Sequence, residues 1–183
     1  MMNTSSQQII EFWFSGGIKN QWFSSTPELD KEIFRKYGSI FDDASIGMLD
    51  DWMNHPEGSL ALIILLDQFP LNMFRDQAKS FQTERKAIEV AFNAISNKYD
   101  QKLERDKRVF LYMPFMHSEN ISDQDMSVRL YTENRLKENI GFAEHHREII
   151  RKFGRFPHRN KILKRESTDE EKHYLASKNA FKG

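Results

Sequence analysis

The chain contains no cysteine in its 183 residues. That excludes disulfides, thiolate metal sites and a cysteine nucleophile together. It also agrees with a reducing compartment, so the cytoplasm is the expected location. Long apolar runs are missing too. The longest uninterrupted one, Leu60-Ala61-Leu62-Ile63-Ile64-Leu65-Leu66, falls far short of the ~20 residues that span a bilayer. It reads as a buried element, and no membrane partner is expected. The start, Met1-Met2-Asn3-Thr4-Ser5-Ser6-Gln7-Gln8, lacks the basic and then apolar pattern of a secretory signal. There is no glycine-rich phosphate loop, no Gly-x-Ser-x-Gly nucleophile elbow and no His-Glu-x-x-His zinc helix. His117-Ser118-Glu119 has the His-x-Glu spacing of a zinc deaminase, but such a centre also needs cysteine ligands. Neither a metal nor a cofactor is expected.

Net charge is lacking as well, with 27 basic and 27 acidic side chains, so whole-molecule attraction does not point to nucleic acid as a partner. The balance conceals an asymmetry. Residues 1–60 hold nine carboxylates against four lysines and arginines, while residues 147–165 hold eight lysines and arginines against the single acid Glu148. Aromatics are plentiful, at 15 Phe, 5 Tyr and 3 Trp, and most should pack a core because they bury the largest area per residue. A chain of this length fits one domain, 1–183, burying roughly 70% of the surface exposed when unfolded.

Apolar positions recur at helical spacing almost throughout, and no run alternates with period two. The fold class is therefore all-α, a compact right-handed array of about eight or nine antiparallel helices with short connections. Thr26-Pro27-Glu28 opens a helix whose apolar stripe is Leu29, Ile33, Tyr37, Ile40, Phe41 and Ala44. Pro56 and Gly58 introduce the central apolar helix, and Asp67-Gln68-Phe69-Pro70 ends it. A further stripe is Phe81, Ile88, Ala91, Phe92 and Ile95, and the next helix meets Pro114. Ser122 with Asp125 reads as a cap. A penultimate helix runs from about Phe142 to Phe153, with Phe142, Ile149, Ile150 and Phe153 inward. Gly154 stops it in the left-handed position, with Arg151 and Lys152 near the last carbonyls. Thr168-Asp169-Glu170-Glu171 is a capping box for the last helix.

Polar residues placed where helices end, or where apolar ones are expected, are the functional candidates. A 100° step puts His146 inside the inward stripe, as a core histidine bonded to backbone or as a site residue. Asp67 and Gln68 follow the greasiest run and should be buried, with Arg75 or a late arginine as the partner of Asp67. His117 and Glu119 could act as acid and base, or Ser118 and its neighbours could simply hold a turn. The segment Phe153-Gly154-Arg155-Phe156-Pro157-His158-Arg159-Asn160 presents Arg155, His158, Arg159 and Asn160 together. Arginine forks suit carboxylate or phosphate, so a small anion is the functional reading. The alternative is a structural turn tied by ion pairs to the acidic N-terminal half.

The pattern made by Glu11-Phe12-Trp13-Phe14, Leu60 to Pro70 with Asn72 and Arg75, Pro114 to Glu119, Gln124, His146-Arg147, Phe153 to Asn160, and Ser167-Thr168 with Glu170 or Glu171 resembles the bacterial family known as domain of unknown function 924, nearly end to end. The resemblance implies a tetratricopeptide-like α-α superhelix, although no 34-residue repeat is visible, and it implies no activity. Two positions depart from the family's pattern. Leu71 stands where a basic residue is expected, which removes an anion contact. Lys164 stands where glycine is expected before Arg165, which removes a tight turn.

Two classes of function follow. One is a helical binding module that recognises a peptide, an acidic partner or a small anion through the basic segment 153–160, with Asp67, Gln68, Arg75 and His146 contributing. The other is an enzyme acting on an anionic small molecule, with Arg155, Arg159 and Arg75 holding charge and His117, Glu119 or His158 moving protons.

Overall fold

Helices start where a side chain can accept the free N–H groups of the first turn and stop where the backbone can turn left-handed. The structure, a computed structural model, describes residues 4–183, none of which lies in a strand. Met1–Asn3, the first part of the segment judged against a secretory signal, lie outside the described residues. The chain divides into two units: one reaches to Arg75 and resumes over Lys79–Pro114, and the other comprises Asp76–Ala78 and Phe115–Gly183.

In the first unit, Ser5 and Gln8 form a capping box that opens α1 (Ser6–Trp13), and α2 (Gly16–Lys19) follows. Thr26 accepts the Leu29 N–H at 3.3 Å and Pro27 supplies the first turn of α3 (Pro27–Ser45), whose six stripe residues are all buried as the spacing predicts. Trp13 anchors the aromatic core, 2% exposed, with the rings of Phe69 at 5.6 Å and Phe110 at 5.7 Å edge-on to it.

The central helix does not end at Pro70. It runs as α4 (Pro56–Ile63), widens into a π-turn over Ile64–Gln68 and continues as α5 (Phe69–Met73). Backbone accounting explains why. Proline has no N–H to give the carbonyl four residues back, so Pro70 cannot serve Leu66. The Thr83 hydroxyl donates to that carbonyl at 2.5 Å instead, while the Phe69 N–H reaches back five residues to Ile64. The widened turn carries Asp67 and Gln68 inward, 3% and 7% exposed.

On α6 (Glu84–Ser96) the buried face is Ala87, Val90, Ala91 and Ala94, and Phe92 is 56% exposed. The expected stripe of larger residues is therefore rotated. Small side chains let α6 approach α4 closely, and that contact chooses the face. α7 (Arg105–His117) also passes its proline: Pro114 sits inside it, and one further turn buries Phe115 and Met116.

In the second unit, Asn120 rather than Ser122 caps α8 (Ile121–Glu133), accepting the Ser122 N–H at 2.8 Å. A short connection with Arg135 at φ 54° leads into α9 (Lys137–Phe153), which starts earlier than expected. Its buried face is Ala143, His146, Ile149 and Ile150. Phe142 falls within the same arc at 100° per residue yet is 64% exposed, because none of residues 137–142 is buried and the covered stretch of α9 begins at Ala143; this corrects its inward assignment. Gly154 closes α9 at φ 67° as its position predicts. Arg151 and Lys152 turn to Asp125, Glu148 and Glu170 rather than to the last carbonyls. The Thr168–Glu171 capping box opens α10 (Asp169–Leu175). Counting the rod from Pro56 to Met73 as one, the described residues form nine helices. No described helix is long and apolar enough to cross a membrane.

Lys164 overturns one expectation directly. It adopts φ 54°, and the Arg165 N–H then reaches the Asn160 carbonyl at 2.8 Å, so the tight turn survives without glycine. A left-handed lysine is strained by roughly 1–2 kcal/mol, partly offset by the greater unfolded-state entropy of glycine. Lys164→Gly should therefore raise stability by about 0.5 kcal/mol in urea titration, and a loss of stability would contradict the strain.

Candidate functional site

The candidates separate at once. Asp67, Gln68 and Arg75 belong to the first unit. There Gln68 donates to Asp67 at 2.5 Å, and Arg75, proposed for Asp67 or for an anion, forks onto Asp30 at 2.7 and 3.1 Å. Asp30 also accepts from Asn72 at 2.8 Å and Ser25 at 2.7 Å. Burial raises the Asp30 carboxyl, but the bonds from Arg75, Asn72 and Ser25 and the Arg75 charge outweigh it and hold it below its usual range.

The remaining candidates lie in the second unit, where the basic segment is held by two carboxylates. Glu119 takes a fork from Arg165 at 2.7 and 2.9 Å and the Phe156 N–H at 2.8 Å. Glu171 takes a fork from Arg155 at 2.7 and 2.9 Å, the Thr168 N–H at 2.8 Å and Asn160 at 3.2 Å. Arg165 donates to Asn160 at 3.1 Å, joining the two clusters into one network. Burial pushes Glu119 up, but the Arg165 fork, the Phe156 N–H and the fields of Arg159 and Arg165 prevail and leave it below the usual carboxylate range. The Arg155 fork likewise brings Glu171 to about 2. Both stay ionised at neutral pH. Arg155 and Asn160 thus bond Glu171, and Glu119 is filled by the Arg165 fork and the Phe156 N–H. The acids shown to tie the turn are Glu119 and Glu171.

Arg159 is different. It is 5% exposed, donates to the His117 carbonyl at the end of α7 at 2.9 Å and lies with its guanidinium carbon 4.6 Å from the Phe156 ring centre. Two imidazoles share that ring. His146 is 5.6 Å and His158 5.6 Å from Phe156, centre to centre. His146 bonds the Phe142 carbonyl through Nδ1 at 2.7 Å. A carbonyl only accepts, so Nδ1 carries the proton and neutral Nε2 keeps its lone pair. Neither His146 Nε2 nor either ring nitrogen of His158 has a hydrogen-bond partner among the described residues.

Burial lowers His146 to about 4, aided by the charges of His117, His145 and Arg159 against the Phe142 bond, which acts the other way. Burial lowers His158 to about 3, aided by Arg159, His146 and Arg165 and opposed by Glu119. Both are neutral at pH 7. The structure thus brings together His146, His158 and Arg159, with the His117 carbonyl behind them. Sequence reasoning missed Arg165 and Glu171 as clamps. Glu171 was visible as the third residue of its capping box, while Arg165 was marked only by the basic run that ends on it.

Two outcomes follow. Removing Glu119 strips three donors of their acceptor, so Glu119→Ala should cost about 3 kcal/mol in chemical denaturation. Arg165→Lys should lose part of that, since an ammonium cannot fork; wild-type stability in both variants would refute the anchor. The histidines bind protons less readily folded than at their ordinary value of 6.5. Unfolding therefore takes up protons as pH falls below about 6.5, and stability declines toward pH 4. The depressed carboxylates act only below about 4.5. Between these limits Tm should fall with pH, and His146→Gln should flatten the slope; an unchanged slope would contradict a neutral buried His146.

A family model described as a bacterial protein of unknown function, DUF924, matches residues 9–179. A solved structure of a protein of unknown function from Agrobacterium tumefaciens is 40% identical, with a TM-score of 0.89 over 93% of this chain and 96% of that one. No curated protein matches the chain significantly. Matched over almost its whole length, the chain belongs to the bacterial DUF924 family of unknown function.

Proposed function

We propose that the protein is a helical binding module for a small anion, held by the face of His146, His158 and Arg159. The observation that carries this reading is a pair of half-buried to buried imidazoles with bare ring nitrogens that meet on the Phe156 ring, where the Arg159 guanidinium also lies. Arg155 and Asn160, the other polar groups of the basic segment, serve Glu171, and Arg165 beyond it serves Glu119. Burial is the main cause that keeps both histidines neutral and the cationic field aids it, so an anion placed on this face would act against both. Their proton affinity would rise, each imidazolium would become a donor, and binding would draw protons from solvent.

The enzyme reading is supported by the fixed tautomer of His146, which leaves Nε2 as a base aimed away from the Phe142 carbonyl. It moves the proton-transfer role from Glu119 to His146 and His158. Carboxylated and phosphorylated compounds would then be substrates rather than ligands.

A thermal-shift screen of carboxylates and phosphates at pH 5.5, 6.5 and 7.5 tests both. A ligand at 100 times its dissociation constant adds about 2.7 kcal/mol of stability. Affinity should increase as pH falls across the series and should drop at least tenfold in His158→Asn. No shift from any anion at the lowest pH would sink the binding reading. Turnover of a bound compound that is lost in His146→Gln would favour the enzyme.

A further inference from the structure

Two polar atoms inside the second unit, Gln124 Oε1 and Ser127 Oγ, have no hydrogen-bond partner among the described residues. Both residues are fully buried, at 0% exposure. They stand three positions apart on α8, which puts their Cβ atoms about 5–6 Å apart on one face of the helix. The Gln124 amide has already committed its N–H groups. They donate to the Met116 carbonyl at 2.7 Å and the Ser118 carbonyl at 2.7 Å, so Gln124 clamps the end of α7 and the turn that carries His117 and Glu119. Those two bonds also fix which way the amide faces, because turning it over would set its oxygen against two carbonyls. α9 closes over the same side of α8. Asp125 meets Arg147 at 3.7 Å and Arg151 at 3.1 Å, a register that sets Ser127 opposite residues 145–149. Bulk solvent therefore reaches neither atom, and leaving a buried amide oxygen and a buried hydroxyl both unanswered is costly.

We infer that Gln124 Oε1 and Ser127 Oγ form an internal hydration site that holds a single water, which completes the clamp on the turn bearing Glu119. The chemistry of the two atoms selects this occupant. An amide oxygen only accepts, so its partner must donate, whereas a hydroxyl can give its proton to the same molecule's lone pair. Water does both from one position, and two such partners are enough to hold it inside a protein. Neither atom carries a charge, so an ion gains nothing there over bulk solvent. With the water in place every polar atom of the Gln124 side chain is bonded, and α8 is tied to the end of α7 through both faces of one amide. The site is independent of the anion reading and stands or falls without it.

Oxygen-17 relaxation dispersion counts the waters that stay inside a protein for longer than it takes to tumble, and side-chain hydroxyls do not contribute to it. Ser127→Val removes the hydroxyl and fills the water's place with a methyl group while leaving the Gln124 donors untouched. Its count should be lower than that of the wild type by about one water. An equal count overturns the site and leaves the Ser127 hydroxyl turned onto a carbonyl of its own helix. Should the variant fail to fold, crystallography of the wild type at a resolution that orders solvent decides. A water within about 3.2 Å of both Gln124 Oε1 and Ser127 Oγ supports the inference, and a direct bond between the two side chains, or a dry contact around them, overturns it.

Discussion

The Glu119 carboxylate is the constraint on which the second unit's arrangement depends. It lies in the turn after α7, yet its acceptors are filled from residues 37 and 46 positions later, by the Phe156 N–H and the Arg165 fork. A charge-assisted fork holds direction as well as distance. It therefore fixes the orientation of the turn that begins at Gly154, and with it the Phe156 ring. Phe156 in turn is the surface on which Arg159, His146 and His158 meet. Through Asn160 the same network reaches Glu171 and α10, so the segment bearing Phe181 starts from a fixed point.

The framework and the candidate site use the same residue types in opposite ways. Arg155 and Arg165 face carboxylates and are electrically answered. Arg159 packs on an aromatic face near two imidazoles, and its field is among the causes that keep them neutral. Two neutral bases beside a cation gain donors when a small anion draws protons onto them, and the binding reading proposed above rests on that.

Much was legible along the chain because it depends on near neighbours. The stripe on α3, the cap at Thr26, the glycine stop at Gly154 and the capping box at Thr168 each need only a few adjacent residues, and each stands as expected. The burial of His146 follows from the same 100° step. The misreadings share a cause. At Pro70 a distant hydroxyl, Thr83, takes the carbonyl that proline leaves unserved, so the helix continues. On α6 the neighbouring helix selects alanines over larger side chains, which no count of apolar residues anticipates. At Lys164 the surrounding bonds impose a left-handed backbone on a residue that would not choose it.

By itself, then, the amino-acid order determined an all-helical chain, where most of its helices start and stop, and which short segment would gather arginine, histidine and asparagine, because helical period and capping act within one or two turns. Only the tertiary structure decided which of those groups bond Glu171 and which meet on the Phe156 ring. Pairing of Arg155 with Glu171, Arg165 with Glu119 and Phe181 with the two imidazoles joins residues far apart in sequence. Such partners are selected by packing and by the need to answer buried charge, and neither leaves a local mark on the chain.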